Sequence, residues 1–165
     1  LMHLFEENIK SLGLNIPELP KALANYVPYK IVGNTMYISG QAPAQNGEIV
    51  YKGKVGSDIT VEDGTKAAKL CVINIIASVK AGLDGNWDKL DSFVKLTGYV
   101  NSTDDFIDQP KVINGASDII AKILEKKGEH TRAAVSVNSL PLGVAVEVDG
   151  IFELNWYQAV RLNNT

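Results

Sequence analysis

The stretch Thr131-Arg132-Ala133-Ala134-Val135-Ser136-Val137-Asn138-Ser139-Leu140-Pro141-Leu142-Gly143-Val144-Ala145-Val146-Glu147-Val148-Asp149 alternates apolar with small or polar residues along both of its halves. Val135 and Val137 mark one arm and Val144, Val146 and Val148 the other. Pro141 and Gly143 lie between them as turn residues, so the pattern predicts a β-hairpin. Successive strand side chains point to opposite faces. Arg132, Ala134 and Ser136 therefore oppose Val135 and Val137, and Ala145, Glu147 and Asp149 oppose the other three valines. On a hairpin, Arg132 and Glu147 then share the non-valine face. As an exposed cross-strand ion pair they contribute at most about 1 kcal/mol. As the polar heart of a site they carry chemistry, and alternation alone leaves both readings open.

Working outward, the order of elements is strand pair, helix, strand, helix, strand pair. Met2 to Leu12 has apolar residues at Leu4, Phe5, Ile9 and Leu12, the spacing of a short helix stopped by Gly13. Residues 1–24 are expected to form a helical and extended extension, and residues 25–165 a single domain. Pro17, Pro20 and Pro28 keep the intervening path extended. Tyr29-Lys30-Ile31-Val32 and Thr35-Met36-Tyr37-Ile38-Ser39 predict a second hairpin around Gly33-Asn34. A long helix is predicted from Val61 to Ala81, capped by Thr60, with Glu62 and Asp63 at the positive end of its dipole. Leu90 to Val100 reads as a strand with Phe93 or Val94 inward. Pro110 to Lys127 reads as a second helix burying Val112, Ala116, Ile119, Ile120 and Ile123. Ile151 to Leu154 extends the last strand, and Asn155 to Thr165 reads as an exposed tail or a short extra strand.

This order predicts an α+β fold, one mostly antiparallel sheet with two helices packed on its valine face. The other face is left either to solvent or to further copies of the chain.

The 165 residues suffice for one domain with a proper core, and 45% hydrophobic with 21% charged residues is ordinary globular usage. No apolar stretch is long enough for a bilayer span, and the N-terminus lacks a signal-like apolar core. Leu1 stands where a start methionine would, as in a partial chain. A single cysteine, Cys71, excludes internal disulfides and fits a reducing, cytoplasmic setting. The net charge of -3 supplies no basic field and argues against nucleic acid as the main partner.

His3 and His130 are the only histidines, and no ligand set has metal spacing, so no metal site is expected. His3 falls in a segment expected to fray, and His130 in a loop expected to face solvent. Cys71 reads as a small core residue on the first long helix. Gly53-Lys54-Val55-Gly56 lacks the spacing of a phosphate loop. What remains as candidate chemistry is Arg132 with Glu147.

The residues also carry a family resemblance. Tyr26 seven residues before Gly33-Asn34, Ser39-Gly40-Gln41-Ala42-Pro43, Asn114-Gly115-Ala116-Ser117, and Arg132-Ala133-Ala134-Val135 followed by Leu140-Pro141 and Glu147 together resemble the YjgF/RidA family of reactive intermediate deaminases. The resemblance spans Tyr26 to Ile151 and points to a longer branch than the short, best-characterised members. It implies a chorismate-mutase-like fold and a homotrimer with clefts between subunits. It implies no cofactor, and a small 2-imino or 2-oxo acid as ligand. The implied activity is hydrolytic deamination of 2-imino or enamino acids to 2-oxo acids and ammonia. Arg132 would hold the substrate carboxylate and Glu147 would activate water. Tyr26, Ser39, Gly40 and Asn114 would line the pocket. Ala134 stands where short members commonly carry cysteine, which removes thiol chemistry from that position. Two alternatives stay open: a small-carboxylate binding module without turnover, and an endoribonuclease or translation inhibitor, as some members are named.

Overall fold

The computed structural model describes residues 1–19 and 24–155. It is α+β. The main sheet contains β1 (Tyr29–Val32), β2 (Thr35–Gln41), β5 (Leu90–Asn101), β6 (Thr131–Val137) and β7 (Val146–Leu154) in the spatial order β1-β2-β7-β5-β6. Three of the four pairings are antiparallel, and β5 with β6 is parallel. A small two-stranded sheet, β3 (Ala44–Gln45) with β4 (Glu48–Ile49), escaped the sequence reading because its arms are two residues long. Asn74 donates to the carbonyls of Ala42 and Ala44 at 3.1 and 3.0 Å and so ties it to the first long helix.

Two long helices, α2 (Val61–Gly82) and α3 (Gln109–Leu124), cover one face of the sheet. Thr60 caps α2 as expected, its hydroxyl accepting from the Asp63 amide at 3.1 Å. The expected Pro110 to Lys127 helix ends at Leu124, and a 3-10 turn, Glu125–Gly128, completes it. The third helix, α1 (Leu4–Ser11), buries Phe5 and Ile9 and is joined to α3 by Asn8, which donates to the Ile123 carbonyl at 2.9 Å. The core between sheet and helices includes Met36, Ile38, Phe93, Leu96, Val100, Val146, Val148 and Phe152, with Ile75, Ile76, Ile113 and Ile120 above them. Phe93 points inward and Val94 is exposed. Cys71 is fully buried, and burial, with a smaller contribution from the charge of Glu147, raises its pKa well above the usual thiol value. Apart from Asn155, the expected tail lies outside the described residues.

The predicted hairpin does not form. β6 and β7 lie on either side of β5, with Leu96 paired to Arg132 on one side and to Gly150 on the other. Strand β5, α3 and β6 make a crossover unit, the connection a parallel pair requires. Pro141 and Gly143 belong to a 3-10 turn, Pro141–Gly143, within the connection that carries the chain past β5. Alternation reports which face a side chain takes and not which strand lies alongside, so two arms with a turn signal between them mimicked a hairpin.

The faces differ from expectation as well. Val146 and Val148 face the helices, whereas Val135 lies on the uncovered face with 45% of its surface exposed. Ala134 is the β6 side chain that packs toward the core.

Missing side chains set how α3 is seated. A Cβ at Gly98 would fall 2.5 Å from Ile113 Cδ1, and one at Gly115 would collide with the Thr65 carbonyl of α2. Replacing Gly115 by alanine is therefore expected to push α2 and α3 apart and lower unfolding stability by about 1–3 kcal/mol. A denaturant titration of Gly115→Ala checks this; an unchanged midpoint would contradict the close crossing.

Candidate functional site

The register of β5 decides where the two candidate catalytic residues stand. Arg132 pairs with Leu96, and Glu147 pairs with Tyr99. Leu96 and Tyr99 are three residues apart in an unbroken part of the strand, so their rows lie on opposite faces of the sheet. Leu96 is buried under the helices, which places Arg132 on the helix side at the sheet edge and Glu147 on the uncovered side. The expectation that Arg132 and Glu147 share a face is thus corrected. Its source is the hairpin, which would have aligned the two arms without an intervening strand.

Arg132 has its own company. Its Nη1 donates to Asn114 Oδ1 at 2.9 Å and to Ser117 Oγ at 3.1 Å, and its Nη2 donates to the Pro110 carbonyl at 3.3 Å. All three acceptors are on α3, two of them on one helical face at positions i and i+3. A guanidinium has five N–H donors. These bonds use three of them among the described residues, leaving Nε–H and one Nη2–H for an acceptor from outside. Arg132 is exposed, so the remaining donors are accessible. The geometry suits a carboxylate held by two parallel hydrogen bonds.

Glu147 has different company. The β2 ladder is interrupted between Ile38 and Gln41, where three residue steps oppose two on β7. Ser39 and Gly40 occupy this bulge, a feature that re-aims the chain locally. The Glu147 carboxylate lies directly over Gly40: a Cβ there would be 2.6 Å from Glu147 Oε2. Burial, and then the nearby Asp149 charge, raise the Glu147 pKa above the ordinary glutamate value. Tyr99 donates from its hydroxyl to Asp149 Oδ2 at 3.0 Å, and burial and Asp149 raise its own pKa. A half-buried carboxylate with a raised pKa is suited to exchanging a proton with a bound water or substrate.

Ser39 donates to the Val27 carbonyl at 2.6 Å, which anchors the segment carrying Tyr26 to β2. Tyr26 itself is 60% exposed. The six residues singled out from the sequence therefore fall into two sets. Arg132 and Asn114 meet on the helix side of the edge strand. Glu147 and Gly40 meet on the open face, with Ser39 beside Gly40 and Tyr26 on the segment that Ser39 holds. A cavity of about 470 Å³ between residues 13–18, α2 and the β3–β4 turn contains none of the six.

Ser117 and His130 were missed as members of the Arg132 set. His130 was expected to face solvent, yet its Nε2 lies 2.9 Å from Ser117 Oγ and its Nδ1 2.6 Å from the Gly128 carbonyl. The signals available were the one-turn spacing of Asn114 and Ser117, and the two-residue offset of His130 from Arg132. Among the described residues no three His, Cys, Asp or Glu side chains gather at metal-binding distance, and no helix is long and apolar enough to cross a membrane.

Residues 6–154 match the family described as "YjgF/chorismate_mutase-like, putative endoribonuclease". Protein TCP17 of Trypanosoma cruzi is 39% identical over 149 residues, covering 90% of this chain and 92% of that protein. The crystal structure of the protein Atu1372 from Agrobacterium tumefaciens superposes with a TM-score of 0.86 at 45% identity, covering 92% of this chain and 94% of that one. The structure of E. coli TdcF with bound serine has a TM-score of 0.58 at 26% identity, covering 81% of this chain and 91% of that one. Family match, sequence relatives and fold agree with one another, and the chain belongs to the YjgF/RidA family.

Proposed function

We propose that this protein is a cofactor-free hydrolase of reactive 2-imino acids and their enamine tautomers. It would work in clefts between the subunits of a homotrimer. The observation that carries this reading is the Arg132 guanidinium, fixed by three acceptors on α3 with two donors left over among the described residues, at a sheet edge. Such a fork selects a carboxylate. Glu147 supplies the second requirement, a carboxylate over Gly40 whose pKa is raised.

In the proposed reaction the substrate carboxylate lies on Arg132, and a water attacks the imine carbon C2. Glu147 takes a proton from that water, and the C2–N π electrons pass to nitrogen. Glu147 hands that proton to nitrogen to give the carbinolamine, then takes the proton of the new C2 hydroxyl and delivers it to nitrogen as the C–N bond breaks, so that ammonia leaves and C2 becomes the carbonyl of a 2-oxo acid. Water is consumed and no electron acceptor is needed. Tyr26 would wall the pocket, Ser39 and Gly40 would line it, and Asn114 would hold Arg132.

Because Arg132 and Glu147 lie on opposite faces within one chain, a complete site needs Arg132 from one copy and Glu147 from the next. The uncovered face supports such packing: Tyr37 and Val135 are 48% and 45% exposed on it. A sheet with apolar residues on its bare face offers a surface for self-association.

A second reading, carboxylate binding without turnover, is favoured by the serine-bound relative, since serine carries the same carboxylate. The two separate in one assay. Release of 2-oxo acid from a coupled serine or threonine dehydratase is expected to accelerate with the protein. Arg132→Ala and Glu147→Gln are each expected to lower kcat/KM by about 10²–10⁴. Calorimetry with 2-oxobutanoate is expected to show binding retained by Glu147→Gln and lost by Arg132→Ala. Binding with no acceleration at any protein concentration would leave only the second reading.

The pH profile follows from the charges around Glu147. As a general base it works ionised, so kcat/KM falls as pH drops through its pKa, giving an acid limb. Asp149 raises that pKa. Asp149→Asn removes the negative neighbour and is expected to move the acid limb to lower pH. A limb that stays in place or moves up would contradict Glu147 as the base.

A further inference from the structure

We propose that His130 is a positioning residue that sets the hydrogen-bond polarity holding the Arg132 carboxylate fork. This inference rests on Arg132 being the carboxylate anchor. His130 Nδ1 lies 2.6 Å from the Gly128 carbonyl oxygen, which can only accept, so Nδ1 carries the proton. In the neutral ring Nε2 is then an acceptor, and Ser117 Oγ, 2.9 Å away, donates to it. With its proton committed to the histidine, the Ser117 oxygen turns a lone pair toward Arg132 Nη1 at 3.1 Å. The same Nη1 donates to Asn114 Oδ1.

The direction of every bond in this chain follows from the first. A histidine protonated at Nε2 instead would donate to Ser117, and the serine proton would lose its acceptor on the ring and no longer be held away from the guanidinium. The ring is also held sterically, with its centroid 4.8 Å from that of Phe93. The Gly128 carbonyl belongs to the 3-10 turn that ends α3, and Gly128 is itself buried. One end of the chain is thus fixed backbone and the other is the substrate-facing guanidinium. His130 touches neither substrate nor reacting atoms and acts through Ser117 on the orientation of Arg132.

Two measurements on the full chain test this. The first is ¹⁵N NMR of the His130 ring and the Arg132 guanidinium, which needs no turnover. The expected result is a ring protonated at Nδ1 when neutral, with Ser117→Ala shifting both the His130 Nε2 and the Arg132 Nη resonances. A neutral ring protonated at Nε2, or guanidinium signals indifferent to Ser117→Ala, would overturn the proposal. The second is steady-state kinetics of two variants. The oxygen of a glutamine can occupy the Nε2 position and accept from Ser117, whereas asparagine reaches only as far as Nδ1. His130→Asn is expected to raise KM about tenfold with kcat nearly unchanged, as loss of carboxylate binding does. His130→Gln is expected to recover most of that loss. Equal KM values for the two variants, or an effect confined to kcat, would overturn the proposal. A wild-type protein without turnover but with the expected tautomer and coupling would count against the deaminase reading alone.

Discussion

The parallel pairing of β6 with β5 is the constraint on which the rest of the molecule depends. It requires a crossover, and α3 is that crossover. It also places Arg132 in the same row as Leu96, under the helix layer, where Asn114, Ser117 and the Pro110 carbonyl on α3 can reach it. The close approach of α3 is possible because Gly98 and Gly115 leave room for Ile113 and the Thr65 carbonyl. The carboxylate fork is a product of topology as much as of side-chain identity.

Glu147 depends on a different local device. It lies on the open face of β7, and the bulge at Ser39 and Gly40 brings a residue without a side chain beneath its carboxylate. The site pays for a half-buried charge with a raised pKa, and Asp149 adds to the cost. Within one chain Arg132 and Glu147 stand on opposite faces of the sheet, and the proposed site draws them from neighbouring copies. The exposed Tyr37 and Val135 on the same open face give association an apolar basis. In the proposed trimer the open face would both bury apolar surface between copies and carry the base.

Much of the fold was legible in the sequence because periodicity and caps are local signals. Thr60 announced the start of α2, Pro110 the first turn of α3, and Gly33-Asn34 the first hairpin. The error at Thr131 to Asp149 arose where the signal is not local. Val135 follows the same alternation whether it faces a helix or bare surface, and nothing in the arms records that β5 lies between them. Arg132 and Asn114 were assigned to one pocket through the family resemblance without their mutual hydrogen bond, and Ser117 and His130 were not singled out for it. Their role comes from hydrogen-bond direction across three elements, which residue spacing does not encode. Ser39 and Gly40 were singled out by motif, and the physical reason for the glycine, the carboxylate above it, became visible only with the bulge.

Subunit complementation decides whether Arg132 and Glu147 act across a subunit boundary. Arg132→Ala and Glu147→Gln chains, carrying different affinity tags, are co-expressed and the mixed trimers isolated through both tags. In a closed ring where each site takes Arg132 from one copy and Glu147 from the next, every mixed trimer contains one intact site, whichever variant is in the majority. Mixed trimers are expected to recover about one third of wild-type deaminase activity per trimer while each parent trimer stays inactive. Mixed trimers no more active than their parents would mean that both residues act from the same chain, and would contradict a site shared between copies.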